Sequence, residues 1–153
     1  MLLKGAENTE FEMKVVGYQF PHLDNEPYDS DWLNINVRVV HPRGAWSATD
    51  ACLLTWEVAS LAEWLRRMAD DTPAHSEENF IEPELHFEWF GESQSRLRVY
   101  LDYSLRPVWS PYHGANEEEE LYVEFVVNPE ELRSIAGDLR SELKKFPIRV
   151  KEM

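Results

Sequence analysis

At 153 residues with 43% apolar and 12% aromatic side chains, the chain is long enough to bury roughly 70% of its unfolded surface in a single core, which excludes disordered and fibrous classes. Its 29 acidic residues outnumber 15 basic ones, for a net charge of −14. Such a field repels phosphate backbones and anionic lipid, so nucleic-acid and membrane-surface binding are disfavoured and basic proteins are the favoured macromolecular partners.

A single α+β domain over residues 1–153 is the expectation. In chain order, residues 11–16 give a weak period-two alternation. Leu33, Ile35, Val37 and Val39 then alternate cleanly with Asn34, Asn36 and Arg38, the pattern of a strand with one dry and one wet face. A third strand is expected over 46–54. It leads into a helix whose stripe is Val58, Leu61, Ala62, Leu65 and Met68, capped by Thr55 and stopped by Asp70-Asp71-Thr72-Pro73. Three more strands are expected over 85–89, 97–101 and 121–127. The last helix carries Leu132, Ile135, Ala136, Leu139 and Leu143, with Asn128 as N-cap, Pro129 in the first turn, Lys144 and Lys145 at the far end and Pro147 as the stop.

Half-buried strands belong to antiparallel sheets. The expected architecture is therefore an antiparallel sheet of about six strands with two helices on one face, in the order βββαβββα. The two helical stripes lie 74 residues apart, which hints at a repeat of topology.

Cys52 is the sole cysteine and lies in an apolar stretch, so a structural buried thiol is expected and no disulfide framework. No apolar run approaches the ~20 residues of a membrane-spanning helix, and the chain reads as cytoplasmic. The six glycines never fall at a nucleotide-loop spacing, and the five histidines are scattered singly, so no cofactor and no metal is expected.

Three loops draw attention: 19–31, with Asp24, Glu26, Asp29 and Asp31; 72–83; and 106–120, with Trp109, Tyr112 and the Glu117 to Glu120 run, read as a solvated turn. Trp64 and Trp89 belong to the core by their positions. Trp32, Trp46, Trp56 and Trp109 instead stand at strand ends or in loops. Rings set among carboxylates suit a protein-binding surface, in which aromatic anchors supply affinity and acids steer a basic partner. The candidate contact residues are Trp32, Trp46, Trp109, Tyr112, Asp24, Asp29 and Asp31. Two other readings stay open. His22 with Asp24, and Glu82 with Glu84, are the best acid–base pairs for a small hydrolase or metal-assisted enzyme. Exposed strand edges would make a homodimeric assembly protein.

Gly17-Tyr18-Gln19-Phe20-Pro21, Asp31-Trp32-Leu33-Asn34 opening a strand, Trp46 ahead of Leu53-Leu54-Thr55, Trp64-Leu65, Glu82-Pro83-Glu84-Leu85 and Phe146-Pro147-Ile148-Arg149 span nearly the whole chain. In these the sequence resembles the WapI-like immunity proteins of bacterial wall-associated toxins. The resemblance implies a non-enzymatic cytoplasmic protein, monomer or homodimer, that binds and blocks a basic toxin domain, often a nuclease. It carries no catalytic signature.

Overall fold

The computed structural model describes residues 1–73, 75–91, 94–110 and 120–151. Leu33, Ile35, Val37 and Val39 are fully buried and the residues between them half-exposed, so the strand they form, β3 (Trp32–His41), has the one dry face that its alternation encodes. It pairs antiparallel with β2 (Glu10–Tyr18) on one side and β4 (Gly44–Leu54) on the other, and β1 (Leu2–Lys4) completes a sheet in the order β1-β2-β3-β4. A second antiparallel sheet follows the first helix, in the order β5-β6-β7-β8: β5 (Glu77–Glu78), β6 (Leu85–Phe90), β7 (Arg96–Leu101) and β8 (Leu121–Val126).

The class is α+β and antiparallel, as expected, but the expected single sheet of about six strands is in fact two sheets of four. With α1 and α2 the element order is ββββαββββα. Alternation tells which face of a strand is dry, not which strand lies beside it. The two extra strands, three and two residues long, are too short to carry a period.

The helices, α1 (Thr55–Ala69) and α2 (Pro129–Lys145), bury the stripes read from the sequence, with Leu143 only partly covered. Asn128 caps α2, its Oδ1 accepting the Glu131 N–H at 2.8 Å. Thr55 is not the cap of α1. Leu54 occupies that position, with its N–H donating to Glu57 Oε1 at 3.0 Å, and Thr55 is already helical. The far end of α1 closes with Asp71 in the left-handed region (φ 56°), the Asp71 N–H on Met68 O at 3.1 Å and the Thr72 N–H on Arg67 O at 2.8 Å.

Both sheets and both helices contribute to one continuous core. Phe11 of the first sheet meets Phe87 of the second edge-to-face at 6.2 Å, and Trp64 of α1 approaches the same ring at 6.4 Å. Cys52 is a buried free thiol, and burial pushes its pKa up, so it acts as a small apolar side chain. No helix among the described residues is long and apolar enough to cross a membrane.

Candidate protein-binding site

The candidate contact residues divide between the two ends of the first sheet. Trp32 opens β3 opposite Leu54, whereas Trp46 sits opposite Val39, seven positions further along and therefore ~23 Å away at 3.3 Å per residue. Tyr112 and the Glu117 to Glu119 part of the acidic run lie outside the described residues.

At the β3–β4 hairpin end, Trp46 is half-buried. Its Nε1–H donates to Leu105 O at 2.8 Å, and Trp109, 42% exposed, meets it edge-to-face at 5.8 Å. Arg43 lies over the Trp109 ring at 4.7 Å. Gly44 has φ +145°, and a Cβ there would come within 3.3 Å of the Trp109 indole, so the glycine is what lets this ring lie against the hairpin. Burial and the Arg43 charge hold the nearby His41 below the ordinary histidine range.

The opposite end is built around the 19–31 loop. Each residue from Asp24 to Asp29 is exposed, and the carboxylates of Asp24, Glu26 and Asp29 take part in no ion pair among the described residues. The arginines are engaged elsewhere: Arg38 with Glu10 and Glu12, Arg66 with Glu63 and Asp70, Arg98 with Glu124. Among these carboxylates stands Tyr28, 47% exposed and in the left-handed region at φ 64°, with its ring edge-on to Trp56 at 5.5 Å. A bulky residue held at positive φ needs surroundings that over-determine it. Here they are a net of short backbone bonds: Glu26 N–H to Ser30 Oγ, Ser30 N–H to Glu26 O, and Asp31 and Trp32 N–H to Tyr28 O, all between 2.6 and 3.2 Å.

Asp31 departs from its expected role. It is 0% exposed, and its carboxylate accepts the Thr55 hydroxyl at 2.6 Å, the Arg149 N–H at 2.8 Å and the Val150 N–H at 3.0 Å. It faces the protein's own backbone instead of a partner's cations. The exposed set at this end is thus Asp24, Glu26, Tyr28 and Asp29, with half-buried Trp32 and Trp56 behind. Tyr28 was missed by sequence reasoning, although an aromatic inside an otherwise polar Pro/Asp/Ser turn is the signal that would have raised it.

The acid–base pairs do not converge. The open hollow beside Asp24 is lined by Asn25, Ile148, Arg149 and Lys151, with neither Glu82 nor Glu84. Glu84 faces Asp50 instead, and burial, followed by the charges of Asp50 and Glu82, raises its pKa.

Over residues 1–147 the sequence matches the model of the Immunity protein WapI-like family. The chain belongs to that family. Compared with curated proteins and with solved structures, it has no match. In this WapI-like immunity protein the acidic end of the first sheet is therefore the surface to weigh as a toxin contact, because free carboxylates, an exposed ring and a self-bonded loop meet there.

Proposed function

We propose that this chain is a cytoplasmic, non-enzymatic immunity protein that occupies the basic working surface of a nuclease-type toxin domain. The observation that carries the reading is the set of three unpaired carboxylates, Asp24, Glu26 and Asp29, arranged around the exposed Tyr28 on a loop held by its own hydrogen bonds. A cleft built to hold nucleic acid presents Lys and Arg, and a preformed acidic surface meets it with little ordering cost. Tyr28 and Trp32 act as anchors and the carboxylates steer. Trp46 and Trp109 supply a second anchoring point at the far end of β3.

The test is association of the purified protein with the toxin domain encoded beside it, followed from low to high salt. The expected result is tight binding whose on-rate falls on the order of tenfold between 0.05 and 0.5 M salt, because the Debye length shrinks several-fold over that range. Absence of binding, or an on-rate indifferent to salt, overturns the reading.

A further inference from the structure

The 19–31 loop has little of its own to hold it. From Asp24 to Asp29 every residue is exposed, and Phe20 and Leu23 are only half-buried. Both of its ends, however, are tied to the same short segment that follows α2. At the first end the Arg149 guanidinium donates to the carbonyls of Phe20, at 3.2 Å, Pro21, at 2.9 Å, and Leu23. At the other end the Arg149 and Val150 backbone N–H groups donate to the Asp31 carboxylate. Tyr18 anchors this strap to β2: its hydroxyl donates to Pro147 O at 2.6 Å, Phe146 meets its ring edge-on at 5.6 Å, and the guanidinium lies over the ring at 3.5 Å. Arg149 thus closes three backbone carbonyls with one planar fork, a geometry that a lysine ammonium does not reproduce. Residues 148–150 lie beyond the family match.

We propose that residues 147–150 form a latch, with Arg149 as its positioning residue, that holds the acidic loop in the conformation that meets the partner. This rests on the reading of the acidic end as the contact surface. Unlatched, the loop samples many conformations, and its apparent affinity falls by the fraction of time spent outside the competent one.

The test uses the full chain with Arg149→Lys and Arg149→Ala, read by amide hydrogen exchange and by kinetics with the toxin domain encoded beside it. The expected result is exchange at least tenfold faster for the amides of 19–30, with those of α1 and α2 unchanged. Arg149→Lys conserves charge, so its on-rate and salt dependence should stay at wild-type values while its off-rate rises about tenfold, a division that general destabilisation does not produce. Loop exchange at the wild-type rate overturns the latch, whatever the binding. A loosened loop with unchanged affinity overturns the positioning role and shows that the loop is not the contact surface, which separates the failure of that reading from the failure of the latch. Should either variant lose the helix protection, Tyr18→Phe removes only the hydroxyl bond to Pro147. A few-fold faster loop exchange then supports the latch, and no change sinks it.

Discussion

Asp31 and Arg149, 118 positions apart, meet through a 2.8 Å bond from the Arg149 N–H to Asp31 Oδ1, and through it the end of the chain closes onto the start of β3. The same carboxylate takes the Thr55 hydroxyl at the first turn of α1, so one buried acid joins three segments. Removing it strands three donors. Asp31→Ala should cost about 3–5 kcal/mol. In a protein of this size that corresponds to a Tm lower by roughly 10 °C in a thermal melt. A loss within 1–2 °C would show that the hub contributes little.

Tyr28 and Trp109 are both exposed rings, but only Tyr28 stands among unpaired carboxylates. Tyr28→Ala should weaken toxin binding about 30-fold or more, the scale of a hot spot. Its stability should shift by less than ~1 kcal/mol, because relief at positive φ offsets the lost edge contact with Trp56. Trp109→Ala should weaken binding less and leave the fold intact. Titration calorimetry with paired melts decides both, and equal loss of stability would make Trp109 structural.

Gly44→Ala tests the hairpin end. A side chain at φ +145° is strained and its Cβ meets the Trp109 indole, so the variant should lose on the order of 2 kcal/mol. Its tryptophan emission should shift as Trp109 leaves Trp46. An unchanged melt and spectrum would refute this account of the glycine.

Glu84 gives a pH dependence of known sign. Its carboxyl is raised above the ordinary range by burial and then by Asp50, and its Oε2 is buried without a hydrogen-bond donor. The folded state therefore binds this proton more tightly than the unfolded chain, and its contribution to stability is present at acid pH and lost as pH rises through the folded pKa. Glu84→Gln mimics the protonated form. It should be more stable than wild type at pH 7, by on the order of 1 kcal/mol, and no more stable at pH 4. Melts at the two pH values check the sign, and a variant less stable at pH 7 would reverse it.

Local rules reach some of these features and not others. The β3 alternation and the Asn128 cap act within a few residues, so they were legible in the sequence. Thr55 was misread because its hydroxyl is taken by Asp31, 24 positions earlier, while Glu57 satisfies the helix start. Asp31 itself looks like any acid of a polar loop, and only donors from residues 149 and 150 put it inside. The site residues divided because spacing along a strand sets distance: Trp32 and Trp46 look like neighbours in a list of aromatic residues, yet β3 and its hairpin place them at opposite ends.

The 3₁₀ turn at Tyr103–Leu105 has a bearing on behaviour at high concentration. β4, the longest strand, is an edge strand, whose unpaired backbone groups would template a strand from a neighbouring molecule. The turn lies against it, fastened by Trp46 Nε1–H to Leu105 O and by Ser104 Oγ–H to Asp50 Oδ2 at 2.7 Å. An incoming strand must first break both bonds and strip the turn away, which guards a protein made to wait in the cell against polymerising through this sheet.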